Sequence, residues 1–169
     1  MKKVIFYAFS LTMLVFGQTF AQSVAEENLN YAIQSAENVQ QEVVSSRKAV
    51  NLLVKQLTVL GNPNATLLSD KMHYHVNQFQ NQADEIDYFV ALAKSNSIID
   101  FSTTAITALT TDLVNQNDIL LNLTNQMTAA VQANNTTLAL SLVTPIRSAL
   151  TRQFNKAGNI ITKIGVIKQ

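Results

Sequence analysis

The sequence contains no cysteine, only four glycines and two prolines, and few charged side chains, which make up 14% of its 169 residues. Without cysteine the chain cannot form disulfide bonds, thiolate metal sites, a c-type haem attachment or a cysteine nucleophile. The same absence excludes a bacterial lipoprotein, because that class is acylated on a cysteine. The scarcity of glycine and proline predicts few turns and long regular elements.

Length and net charge narrow the class of protein further. A chain of this length suits one domain with one sizeable core. The formal net charge is only +1, so there is no basic footprint of the kind that binds nucleic acid. Asn, Gln, Thr and Ser supply most of the polarity instead of charged residues.

The first 21 residues have the pattern of a secretory signal peptide. Lys2 and Lys3 form a positive n-region, residues 4–16 are mostly apolar, and Ala21 ends a small-residue cleavage site. The apolar run is shorter than the roughly 20 residues that a membrane-spanning helix needs. We therefore expect a mature chain of residues 22–169 that is soluble in the periplasm or outside the cell, with no integral membrane segment. An uncleaved anchor is the alternative.

Four apolar stripes with three- and four-residue spacings predict four helices, at about residues 24–60, 63–95, 98–132 and 136–166. Ser46, Ser102 and Gln116 occupy gaps in the stripes. The predicted core-facing residues, in chain order, are Ala36, Val39, Val43, Val50, Leu53, Leu57 and Leu60; Leu68, Met72, Val76, Phe79, Ala83, Ile86, Val90 and Ala93; Ile99, Ile106, Leu109, Leu113, Leu120, Leu123, Met127 and Ala130; and Leu138, Leu142, Ile146, Leu150, Phe154, Ala157, Ile161 and Ile164.

Short connections separate these helices. In Gly61-Asn62-Pro63, the glycine ends one helix, the asparagine caps the next and the proline takes its first position. Residues 97–100 have the pattern of a capping box, and residues 133–135 end the third helix. Pro145 predicts a kink, or a helix restart capped by Thr144. Short connections make sequential helices antiparallel, so the sequence predicts an all-α, elongated, antiparallel up-down-up-down four-helix bundle after the signal peptide.

Both histidines, His73 and His75, lie in the second predicted helix. Residues two apart on a helix point about 200° apart, so these two cannot bind one metal ion. With Met72 at the centre of the apolar stripe, His75 lies at its boundary, where it can bond to another helix, and His73 is mostly solvent-facing. The nearby carboxylates do not share the His75 face (Asp84, Glu85 and Asp87). We predict no metal site.

Cofactor binding and catalysis find little support in the sequence. His75, Met72 and Met127 are the only candidates for haem ligation inside a bundle, but both methionines lie on core stripes, where methionine usually fills space. No Gly-x-Ser-x-Gly turn is present, and the histidines lie in the middle of a helix. We therefore predict no cofactor, no catalytic residues and no enzymatic activity.

The remaining candidate for function is the outer surface, which carries many uncharged amides and hydroxyls. Because such a surface has little charge repulsion, it allows other chains to approach closely. Several apolar residues widen the stripes beyond a narrow core face (Val44, Val54, Tyr88, Phe89, Val114 and Ile119). They fit a broad core face or a contact surface. The leading hypothesis is an exported, non-enzymatic bundle that acts through protein–protein contacts, including self-association. The alternatives are a periplasmic bundle of the sensor type that binds a small ligand or haem, and a membrane-active bundle.

Overall fold

The computed structural model describes the backbone of residues 2–61, 63–96 and 104–168, and the side chains of these ranges from Phe20 onward. Helix α1 covers Lys2–Lys55, α2 covers Ala65–Asn96, α3 covers Thr104–Gln132, α4 covers Thr136–Ser141 and α5 covers Val143–Ile167. A π-helical turn, Gln56–Leu60, extends α1. The described ranges contain no strand. Helix α1 begins well before residue 24, the predicted start, and no proline interrupts it.

The chain forms an antiparallel up-down-up-down four-helix bundle, which confirms the predicted fold. Helix α1 packs against α2 and α5, and α3 packs against the same two helices. The bundle has four antiparallel segments, which we call legs: α1 with its π-helical turn, α2, α3, and α4 together with α5. None of the helices in the described part of the chain has both the length and the apolarity that are needed to cross a membrane.

Buried residues alternate between three- and four-residue spacings along each long helix, which keeps one face of the helix directed at its neighbours. In α2 the buried positions are Ala65, Ser69, Met72, Val76, Phe79, Ala83, Ile86, Val90 and Ala93. All the predicted core residues of this helix are buried except Leu68, which is half-buried.

In α3 and α5 the buried face differs from the predicted one at several positions. The structure buries Thr110, Asn117 and Thr124 in α3 and Gln153 and Ile160 in α5, and leaves Leu109, Gln116, Leu123, Phe154 and Ile161 partly exposed. At Leu109, Leu123 and Phe154 the prediction was wrong because it followed the more apolar of two adjacent residues, whereas Gln116 and Ile161 are no more apolar than their buried neighbours. The helices instead keep the three-four spacing, even where this places a polar side chain in the core.

Some polar side chains in the core are hydrogen-bonded, and others are not. Thr110 donates to the carbonyl of Ile106 at 2.7 Å, within its own helix. With its amide oriented so that both of its polar atoms are paired, Gln153 donates to the Leu113 carbonyl at 3.2 Å and accepts from the backbone N–H of Asn117 at 3.3 Å. Asn117 Oδ1 and Ser46 Oγ are buried without a hydrogen-bond partner among the described residues.

The turn between α1 and α2 depends on a left-handed glycine, as predicted. Gly61 has φ +68°, and its N–H bonds to the carbonyl of Gln56. Helix α2 begins at Ala65, so Pro63 lies in the turn and not at the first helical position. Leu60 is exposed, contrary to the prediction, because the π-helical turn shifts the last residues of this leg off the core face and buries none of them.

Replacing Gly61 with alanine is expected to lower the free energy of unfolding by about 1 kcal/mol, because a Cβ disfavours positive φ. A Cβ there meets no other atom, so the loss reports backbone strain alone. Gly165, which is helical and equally uncrowded, is the matched control. Its replacement by alanine should raise stability by about 0.5–1 kcal/mol. Urea denaturation measures the free energy of unfolding of both variants. Equal changes at the two positions would contradict the left-handed conformation of Gly61.

The fourth leg restarts once near its beginning. Asn134 has φ +54°, and the Asn135 side chain caps α4 by accepting from the Leu138 N–H at 3.1 Å. The leg then breaks at Leu142, and α5 starts at Val143. Pro145 thus lies in the first turn of α5, where a missing N–H costs little. The restart was predicted, but no side chain caps α5, so Thr144 is not the cap.

Contacts between side chains fix the register of the legs. Between α1 and α5, Arg47 donates to the Thr151 hydroxyl at 3.0 Å. Between α5 and α3, Arg152 donates to the Gln116 side chain at 2.8 Å. Arg47, Thr151, Arg152 and Gln116 therefore lie at one level of the bundle, which we call the middle level.

Some predictions fall on residues outside the described ranges. These are the cap at Asn62, the capping box at residues 97–100, and the core positions Ile99 and Ser102.

Candidate functional site

His75 joins two helices, as its predicted boundary position allows. Its Nδ1 contacts a carboxylate oxygen of Glu42 in α1. The side chain of His75 is 15% exposed and that of Glu42 is 28% exposed. His73 is half-buried, not mostly solvent-facing as predicted. The reason is that α2 packs against α3 as well as α1, so both of its flanks are covered.

Two of the acids near His75 in the sequence have other partners. Glu85 accepts from Ser35 at 2.9 Å, and Asp84 accepts from Gln80 at 2.9 Å. The carboxylate that does reach His75 is Glu42, 33 residues away in the chain. Within the described ranges, no three histidine, aspartate or glutamate side chains gather in a way that would hold a metal ion.

The three candidate haem ligands do not come together. Met72 and Met127 are both fully buried in the core. Glu42, which contacts His75, lies five residues before the middle level in α1, and Met127 lies eleven residues beyond it in α3. Since α1 and α3 run in the same direction, His75 and Met127 are separated by about 24 Å along the bundle at 1.5 Å per residue. That separation is too large for both to ligate one iron.

A groove of about 290 Å³ lies between α1 and α2 beside the contact between Glu42 and His75. Its lining residues are Ser45, Lys48, Ala49 and Leu52 of α1, and Lys71 and His75 of α2. Lys48 and Lys71 are exposed. Neither ammonium group has a hydrogen bond or an ion pair with any residue that the structure describes. We call this site the α1–α2 groove.

A carboxylate that orients an imidazole is also part of the catalytic triad in enzymes with a serine nucleophile. A serine nucleophile needs its base within hydrogen-bond reach. The hydroxyl of Ser46 is buried without a partner, and Ser45 has no hydrogen bond to His75 in the described part of the chain. The arrangement therefore orients an imidazole but does not provide a proton path from either serine.

A second notable surface is the tip where α1 turns into α2, which we call the hairpin end and define by Val59, Leu60 and Leu67. These side chains are 70%, 51% and 67% exposed. Around them, residues 55–71 carry two basic side chains and one acidic side chain, a local net charge of +1. The hairpin end thus combines exposed apolar side chains with little net charge.

The apolar residues that widened the predicted stripes fall into two groups. Val44, Tyr88 and Ile119 are exposed, whereas the rest pack against the core (Val54, Phe89 and Val114). Some of these extras are therefore part of a broad core face, and others are available for contact.

An aromatic cluster lies far from the hairpin end. The rings of Tyr31 and Tyr88 each approach that of Phe89, with centroid distances of 5.1 and 5.3 Å. Tyr31 donates to the Glu27 carboxylate at 3.1 Å. This hydrogen bond, followed by the negative charge of Glu27 and slight desolvation, raises the pKa of the Tyr31 phenol.

Comparisons with known proteins found no match to a protein family, a curated protein or a solved structure. Among the described residues, the α1–α2 groove and the hairpin end are the two surfaces that bear on function.

Proposed function

We propose that this protein is an exported, non-enzymatic helical bundle that acts through protein–protein contacts at its hairpin end. The observation that carries the proposal is the exposure of Val59, Leu60 and Leu67 on adjoining turns. The π-helical turn that contributes two of them buries none of its residues. Clustered apolar side chains on a soluble surface commonly mark a site of interaction.

The low charge around the hairpin end indicates the character of the partner. With a local net charge of only +1 over residues 55–71, the contact would depend on apolar burial more than on charge, so an apolar patch on another protein or on a second copy is favoured. Export is inferred from the pattern of the first 21 residues.

A binding experiment with matched variants tests this function. The full chain is expressed with a C-terminal tag, cross-linked in intact cells and recovered from the envelope and medium fractions. We expect Val59→Asn combined with Leu60→Asn to abolish recovery of a bound chain, whether that chain is another protein or a second copy. Both residues are already exposed, so the variant should keep its fold.

Val166→Asn is the control, because Val166 is 59% exposed near the end of α5. Lys168 of α5 contacts Asn30 of α1, which places this control far from the hairpin end. Equal recovery with the hairpin variant and the wild type, or a wild-type chain that is monomeric by sedimentation and carries no bound protein, would overturn the proposal.

A further inference from the structure

We propose that the α1–α2 groove is a binding site for a phosphate group, held between Lys48 and Lys71. The two lysines line the same groove of about 290 Å³, one from each helix. They lie on the same side of the contact between Glu42 and His75, six residues after Glu42 and four before His75. Antiparallel helices therefore bring them to nearly the same level.

Two ammonium groups on one groove create a local positive potential. Like charges repel, and the repulsion is larger near a protein surface than in bulk water. Neither lysine is neutralised by a residue that the structure describes. A phosphate group, with a charge of about −1.5 to −2 near neutral pH, would neutralise both. Lysine is a common phosphate ligand because it acts as a mobile point charge.

The carboxylates near the groove lie outside its lining. One Glu42 oxygen contacts His75 Nδ1. Asp70 is exposed and lines no part of the groove. The groove itself therefore contains two cations, an imidazole and a serine hydroxyl, but no acid.

His75 adds another polar side chain to the lining of the groove, beside the two lysines. It lines the groove, and its Nε2 is buried without a hydrogen-bond partner among the described residues. A buried polar atom without a partner costs about 1–3 kcal/mol. A phosphate group has acceptor oxygens for an imidazolium N–H, and in its protonated form an O–H donor for a neutral imidazole. Because Nε2 is shielded from solvent, it pairs with a phosphate group in the groove only after the imidazole turns toward the groove.

The groove also has an apolar side. Ala49 and Leu52 line it, and Leu52 is 53% exposed. The phosphate group can thus come from free phosphate or from the headgroup of a phospholipid, whose chain would lie along Leu52 toward the hairpin end. Both sources share the phosphate chemistry, and the experiment separates them.

Isothermal titration of the purified full chain with inorganic phosphate is the first arm of the test, with sodium chloride at matched ionic strength as the blank. Co-sedimentation with phosphatidylglycerol vesicles, against phosphatidylcholine vesicles, is the second arm. We expect saturable binding in at least one arm and a loss of tenfold or more in affinity for Lys48→Gln combined with Lys71→Gln. Both lysines are exposed, so the variant should fold, and circular dichroism checks this.

Lys94→Gln is the matched control, because Lys94 is an exposed lysine in the last turn of α2. Its affinity should stay within twofold of the wild type. Binding in the phosphate arm indicates a free oxyanion, and binding to phosphatidylglycerol alone indicates a lipid headgroup. No saturable binding in either arm, or binding that the double lysine variant leaves unchanged, would overturn the proposal.

Discussion

Replacing Phe79 with alanine is expected to lower the free energy of unfolding by about 3–5 kcal/mol. Phe79 is the largest of the fully buried side chains in the described ranges. It lies in α2, which packs against both α1 and α3. Truncation removes apolar burial and leaves a cavity between packed helices that relaxes only partly, so the loss includes both the burial and the cavity.

Urea denaturation followed by circular dichroism measures this loss. Tyr88→Ala is the control, because Tyr88 is an aromatic residue of the same helix and is 60% exposed. Its replacement should change stability far less, since surface substitutions usually stay within about 0.5 kcal/mol. A loss below 1 kcal/mol for Phe79→Ala would mean that α2 does not pack into the bundle as described.

The number and direction of the helices could be predicted from the sequence, because both depend on local signals. Apolar residues recur every three or four positions, and Gly61 and Asn134 both adopt positive φ where a helix was predicted to end. The exact buried face was harder to predict. In α3 the three-four spacing of buried residues places Asn117 in the core, and the adjacent Gln116 is partly exposed. The hydrophobicity of single residues gives no reason to prefer one amide over the other.

The candidate site could be predicted only in part. The boundary position of His75 follows from its angle to Met72, and the structure places it there. Its contact with Glu42 depends on the register between two helices, which no local pattern fixes. The positions of Lys48 and Lys71 on one groove depend on the same register. The sequence therefore revealed single residues at the edges of helices, but not the pairs that they form.

Replacing Asn117 with leucine is expected to raise the free energy of unfolding by about 1–3 kcal/mol, the usual cost of a buried polar atom without a partner. Asn117 is 4% exposed and its Oδ1 is unpaired among the described residues. Leucine has the same number of side-chain heavy atoms in the same branched arrangement and brings no such group into the core. Asn115→Leu, at an exposed position of the same helix, is the control and should change stability by less than about 0.5 kcal/mol.

The same substitution tests why the bundle keeps polar residues in its core. Asn117 lies next to the middle level, where Gln153 bonds to the backbone of α3. A polar core residue can fix register and oligomeric state at a cost in stability. If this holds here, Asn117→Leu will be more stable but will populate more than one oligomeric state in sedimentation. A less stable variant would instead show that Asn117 makes a net favourable contribution, and that its side chain is better paired in solution than the geometry indicates.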